Sequence, residues 1–311
     1  MRKNIGSNLF ICLLVTILVL IISYSKDVME SVSFSISIWK DNLFPSLFPF
    51  FTISNLLLQY GFIDKISLVF KNVMPRIFHL PKEASFPLVI SLFSGFPSGA
   101  KATSDLVKRK ILTTKEAERL LTFTHYSNPL FVLGFIGNII FGNQKIGLII
   151  LISHILSNLL VGYIFRLKPV PSSSNIIKEN KEMPSLGNAL RVSIFDSLNT
   201  MFLLLGIVTI FLMLTTIIFE FLSFGPFINT LIAGLCEMTQ GVKLVSELNL
   251  NIILKIIIIT FFISFGGISI HIQVLSIISE EKIKYKYFLL ARILHGIIAS
   301  ILVFILYLLL F

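Results

Sequence analysis

Apolar residues run in long blocks along this chain, at 5–25, 42–60, 119–141, 146–166, 190–220, 252–279 and 287–311. Crossing a hydrocarbon core of ~30 Å takes about 20 residues of helix, so each block predicts a transmembrane helix. Two further apolar stretches, 84–101 and 226–245, are interrupted near their middles by glycine, proline or polar residues. These predict re-entrant helical hairpins that enter the membrane and return on the same side. Residues 31–38 alternate Ser with Val, Phe and Ile, the period of a strand. A lone strand beside a membrane helix has no partner for its backbone groups, so an interfacial helix leading into Trp39 is expected. Pro45 and Pro49 are expected in the first turns of the next span, where a missing N–H costs least.

Composition agrees with a membrane protein. Of 311 residues, 55% are hydrophobic and only 14% charged, with mean hydropathy +0.91. A soluble domain carries about 25% charged residues. The formal charge of +10 does not indicate nucleic acid, because the Lys and Arg residues fall in short loops and form no continuous basic face. They do set a topology. With the N-terminus cytoplasmic and both hairpins returning, the segments 61–83, 101–119, 166–191 and 280–292 are also cytoplasmic, and 21 of the 26 Lys and Arg lie on that side. Letting the second hairpin span lowers that count to 19. The N-terminal run, Arg2 and Lys3 followed by Leu9 to Ile22, reads as a retained helix or as a cleaved secretory signal. Cys12 and Cys236 lie in apolar segments without metal-like spacing and read as small buried hydrophobes.

Four regions result: an N-terminal membrane helix (1–30), a first repeat (31–166), a polar cytoplasmic linker (167–189) and a second repeat (190–311). Each repeat reads as a span, a broken hairpin and two spans, so the two insert in opposite orientations. The fold class is an all-α polytopic membrane protein with about seven transmembrane helices plus two re-entrant hairpins in inverted repeats. Broken elements at the midplane of inverted repeats are an architecture of many secondary transporters.

The candidate chemistry lies at the breaks. Ser94, Gly95, Ser98, Gly99 and Lys101 interrupt the first hairpin. Freed backbone groups at membrane depth need a protein or wet-cavity partner. The segment is either a tip whose helix N-terminus offers N–H groups to an anion or a tight loop between interfacial helices. Ser127 and Asn128 precede Pro129, which unwinds a helix, so they are a site or a repaired kink. Glu237, Thr239 and Gln240 break the second hairpin. Ser264, Gly266, Gly267, Ser269 and His271 interrupt 252–279, and Ser264, Gly267 or Ile268, and His271 place one polar face inward. Glu237 and His271 are the ionisable pair, read either as a solute-binding or proton-relay pair or as a structural hydrogen bond. His154, His295 and Arg292 read as structural. Absence of HExxH, GxSxG and GxxxxGK[ST] argues against an enzyme or a self-sufficient ATP-driven pump. No cofactor or metal is expected.

The runs LFPSLFPFF (43–51), SGFPSGAK (94–101), SNP (127–129), GLCEMTQG (234–241), SFGGISIHIQV (264–274) and YKYFLLARILHG (285–296) resemble the YlbJ-type sporulation integral membrane proteins, which carry the nucleoside-recognition or Gate domain. The resemblance implies an architecture related to concentrative nucleoside transporters. It implies carriage of dipicolinic acid from mother cell toward forespore, with a nucleoside-type solute or a non-transporting sporulation scaffold as alternatives. The implied location is a multi-pass cell membrane, with the outer forespore membrane as the candidate. The implied partners are a small-molecule carboxylate, the lipid bilayer, and a second copy of the chain or other sporulation membrane proteins. The residues are compatible with that ligand: hairpin N–H groups and Lys101 for carboxylates, Phe96, Tyr126 and Phe265 for a ring.

Overall fold

The structure is a computed structural model describing residues 2–166, 184–222 and 224–311. Most of the expected linker, at 167–183, therefore lies outside the described residues. Those described are helical and contain no strand. The long helices are α1 (Arg2–Ser23), α2 (Ser25–Ile38), α3 (Phe44–Gln59), α8 (Gln144–Ile164), α9 (Leu186–Phe221), α12 (Ile252–Phe265), α13 (Gly267–Ile278) and α14 (Lys286–Leu310). Shorter elements are α4 (Phe62–Val69), α5 (Ser85–Ser94), α6 (Ser98–Lys108), α7 (Thr114–Leu120), α10 (Pro226–Cys236) and α11 (Met238–Glu247). A wide π-helix covers Phe131–Ile140.

Several expectations change in detail. Residues 25–38 are helix, as the unpartnered-strand argument requires. Helical turns continue from α2 through a wide turn, Trp39–Leu43, into α3. Pro45 falls in the first turn of α3, but Pro49 lies inside it. Prolines lacking N–H groups free carbonyls upstream, and a widened turn there accommodates them. The 119–141 block is not one span: α7 ends at Leu120, residues 124–128 leave the helix, and winding resumes after Pro129. Among the described residues, four helical segments are long and apolar enough to cross a membrane, or five if the α1–α2 pair, bent by 95°, counts as one. That is fewer than the seven expected, because the 42–60 and 119–141 blocks are shorter as helices than as apolar runs.

Beside an apolar core, packing buries many polar residues and leaves large apolar ones outside. Phe10, Leu18, Phe195, Phe202, Ile210 and Leu308 are exposed, whereas Ser153, His154, Asn158, Ser264, Arg292 and His295 are completely buried. A soluble protein hides the opposite set; this distribution suits a hydrocarbon solvent. Cys12 is exposed and Cys236 half-buried, so neither is the buried hydrophobe expected. Helices α2, α3 and α9 pack as one group and α8, α12 and α14 as another. Hairpin α10–α11 touches α9 of one group and α12 of the other, and hairpin α5–α6 touches α3 and α13.

Candidate functional site

The first break is shaped by close backbone approach. Gly95 has φ +78°, and a Cβ there would lie 2.7 Å from the Asn128 backbone nitrogen. Only glycine suits both the left-handed backbone and the space. The tip is stitched to the unwound residues beside it. Phe96 N–H donates to the Tyr126 carbonyl (2.7 Å), and Asn128 Nδ2 donates to the Ser94 carbonyl (3.3 Å). Ser94 and Ser98 bond through their hydroxyls (2.8 Å). The carbonyls freed by unwinding find partners on two other helices. Asn158 Nδ2 donates to Phe123 O (3.1 Å) and His125 O (3.0 Å); Arg292 donates to His125 O (3.2 Å) and to Thr122 O. The cost of broken helix in a membrane is met within the protein.

The second break is built differently. Glu237 is extended (φ −141°, ψ 114°) and caps α11, its carboxylate accepting from Gln240 N–H (2.8 Å) and the Thr239 hydroxyl. A carboxyl group of the protein itself therefore occupies the N-terminus of α11. Gly266 and Gly267, with φ +95° and +70°, separate α12 from α13, and a Cβ on Gly267 would lie 3.1 Å from the Met238 nitrogen. The α12–α13 break is thus packed on the tip of the second hairpin.

The two breaks face a common cavity of about 310 Å³. Its polar lining comes from Ser127, Asn128, Glu237, Thr239, Gln273 and Asp41, and its apolar lining includes Phe96, Phe131, Phe135, Leu204 and Val208. Four of the expected site residues, Ser127, Asn128, Glu237 and Thr239, line it, and Phe96 does so as expected. The others do not. Ser94, Gly95 and Gly99 lie outside the cavity lining and pack against Ser98, Asn128 and Thr124. Ser98 and Lys101 border a separate hollow of about 20 Å³ together with Asn55 and Asp105. Gln240 turns to the Thr215 hydroxyl (2.9 Å) and Ser264 to His154 Nδ1 (2.8 Å). Gly266 and Gly267 form the break itself, and Ser269 is buried beside it. His271 Nε2–H donates to Phe265 O (3.0 Å), and its Nδ1 meets the Tyr285 hydroxyl (2.5 Å).

The pairing of Glu237 with His271 is therefore not formed, since each side chain is engaged by other partners. The continuous polar face through Ser264 and His271 is also corrected, because the chain breaks between them and Ile268 points outward. Phe265 stacks on Phe261 and lies tilted against the His271 ring, and neither it nor Tyr126 lines the cavity.

Sequence reasoning missed three contributors. Gln273 shares α13 with His271, and its signal was a lone amide in an apolar run. Asp41 sits just before the apolar block. The third is a buried cluster in which Arg292 donates to Asn158 Oδ1 (2.7 Å) and His295 Nδ1 (2.8 Å). Arg292 and His295, three residues apart, are neighbours on one helix face, and an arginine in the first turns of the apolar block 287–311 was the readable clue.

A bundle with an apolar exterior, buried polar clusters and an internal cavity between broken helices is the build of an integral membrane protein. Residues 42–143, which hold the first hairpin and the first unwound segment, match the Gate family, described as nucleoside recognition. Over 325 aligned positions the chain is 31% identical to the sporulation integral membrane protein YlbJ of Bacillus subtilis (strain 168), covering 92% of this chain and 79% of that protein. The chain belongs to the YlbJ family of sporulation integral membrane proteins. No solved structure matches it.

Proposed function

We propose that this protein carries a small ring-bearing carboxylate across the membrane, with dipicolinic acid moving from mother cell toward forespore as its leading substrate. The observation that carries this reading is the single cavity onto which the broken elements of both halves converge. Phe96, Phe131 and Phe135 offer faces to a planar ring. Asn128, Gln273 and Ser127 offer hydrogen-bond donors to carboxyl oxygens, while the Thr239 hydroxyl is held by Glu237. Lys101 lies at the other hollow, and no Lys or Arg is among the described residues lining the cavity. Hydrogen bonding would thus hold the carboxylate, its charge being met by a proton or a co-carried cation.

The same lining favours one second reading. A neutral nucleoside-type solute needs no cation, and hydroxyl groups and a base suit amide and carboxylate partners. The family description for residues 42–143 points the same way.

Seven crossing elements with two re-entrant hairpins in inverted repeats remain our reading of the topology. It is supported by the common order of the halves and by the pairing of α3 with α9 and of α8 with α14, the first and last helices of each. Movement of one repeat against the other would then expose the cavity to alternate sides. The outer forespore membrane is the location that fits this transport direction.

A sporulating strain lacking the protein should synthesise dipicolinate yet make spores deficient in it. Normal spore content would exclude the leading substrate, and nucleoside accumulation by vesicles containing the protein would favour the second. If neither solute moves, a scaffold of a sporulation membrane complex becomes the better account.

A further inference from the structure

His154 lies on α8, completely buried and outside the cavity lining. Its ring has two partners from opposite halves of the chain. The Ser127 backbone N–H donates to Nε2 (2.9 Å), so Nε2 carries no proton and the ring is neutral with its hydrogen on Nδ1. Nδ1 lies 2.8 Å from Ser264 Oγ, to which it donates. One imidazole therefore receives from the unwound segment of the first half and donates to the last turn of α12, two residues before the Gly266 break.

The surroundings hold this ring in place. The His154 carbonyl accepts from His295 Nε2–H (2.9 Å), whose Nδ1 accepts from Arg292 (2.8 Å). The Tyr126 ring stands edge-on to it at 5.9 Å, and the His295 ring lies 4.7 Å away. Both segments it joins lead directly into the cavity: Ser127 and Asn128 on one side, and α13 with Ile270 and Gln273 on the other.

We propose that His154 is a positioning residue that ties the two broken spans together and so fixes the first-half wall of the cavity relative to the second. The role rests on the reading of that cavity as the solute site. A neutral imidazole suits it because it carries one acceptor and one donor at separate points of a rigid plane. A glutamine amide also carries one of each. A leucine carries neither, leaving the buried Ser127 N–H unpaired and Ser264 disconnected.

The test uses full-length protein in proteoliposomes with radiolabelled dipicolinate, and uridine as a second probe, comparing wild type, His154→Gln, His154→Leu, Ser264→Ala and the His154→Leu/Ser264→Ala double variant. Loss of a positioning bond should raise KM about tenfold in His154→Leu with little change in maximal rate. His154→Gln should remain within about threefold of wild type. Adding Ser264→Ala to His154→Leu should cost nothing further, because the two act through one bond. A glutamine variant as impaired as leucine, or effects of the two single changes that multiply, would overturn the proposal.

A second readout does not need transport. In a Cys12→Ser background, Cys236 beside the second tip is the sole thiol. N-ethylmaleimide should alkylate it several-fold faster in His154→Leu than in wild type or His154→Gln. Equal rates in all three would refute the tie. If wild type moves neither probe, the carrier reading falls, and the alkylation rates still decide whether His154 holds the halves together.

Discussion

Gly99 and Thr124 meet through backbone alone: a Cβ on Gly99 would overlap the Thr124 carbonyl oxygen. This contact lets α6 lie against the unwound segment that carries Ser127 and Asn128, so the first tip and its neighbour behave as one wall. The second hairpin repeats the device, since a Cβ on Gly241 would overlap Gly234 Cα.

Gly99→Ala should therefore lower stability by about 1–3 kcal/mol, the range for overpacking a tight site, and should reduce solute uptake with it. Gly134 has open space around it, so Gly134→Ala should stay within about 0.5 kcal/mol of wild type. Unfolding midpoints in detergent compare the two.

Glu237 serves both the α11 cap and the cavity, and two substitutions separate those tasks. Glu237→Ala removes the acceptor for Gln240 N–H and should cost about 0.5–2 kcal/mol, the range for losing a cap. Glu237→Gln keeps an acceptor oxygen and should retain most of that stability. If the carboxylate itself handles solute, uptake by Glu237→Gln should fall while its unfolding midpoint stays near wild type.

Arg292 has four acceptors, Thr122 O, His125 O, Asn158 Oδ1 and His295 Nδ1. Arg292→Leu leaves them without this donor and should destabilise by roughly 2–4 kcal/mol. Arg292→Lys should fall between, because an ammonium lacks the planar fork that reaches separate acceptors. Detergent unfolding titrations of the three proteins give the order directly.

Outside the membrane-spanning segments, Lys108 Nζ donates to Glu280 (2.9 Å), linking the end of α6 to the turn after α13. This bond holds the Glu280 carboxyl below its usual range and raises the Lys108 ammonium. A lowered acid contributes stability above its unfolded value and loses it as pH falls through the folded value. Wild type should thus exceed Glu280→Gln slightly at neutral pH, and the two should converge in acid below the usual carboxylate range. Both groups are exposed, so high salt should shrink the difference. Melting curves across pH at low and high salt check this.

The sequence made the outline legible because glycine, proline and polar residues inside apolar runs carry a local meaning that tertiary structure rarely reverses. The breaks at Gly95–Pro97, Glu237 and Gly266 all fall where those residues stand. What hydropathy could not supply was the length of helix within each block: Pro129 and the pairing of Asn158 and Arg292 with freed carbonyls convert 119–141 into two short pieces. Side-chain direction was hidden as well. Lys101 sits in the expected motif but borders the smaller hollow, and His271 turns to Phe265 O and Tyr285, whereas Gln273 and Phe96 reach the cavity. His154 looked unremarkable because its two partners lie 27 and 110 residues away.

The most direct measurement is uptake of radiolabelled dipicolinate into proteoliposomes holding wild type, Asn128→Ala, Gln273→Leu or the control Thr16→Val, at an exposed position of α1 remote from the cavity lining. Passage through the shared cavity predicts saturable uptake by wild type and Thr16→Val, with KM raised about tenfold or more by each cavity change. Uptake no greater than in empty liposomes, or kinetics identical in all four proteins, would contradict it.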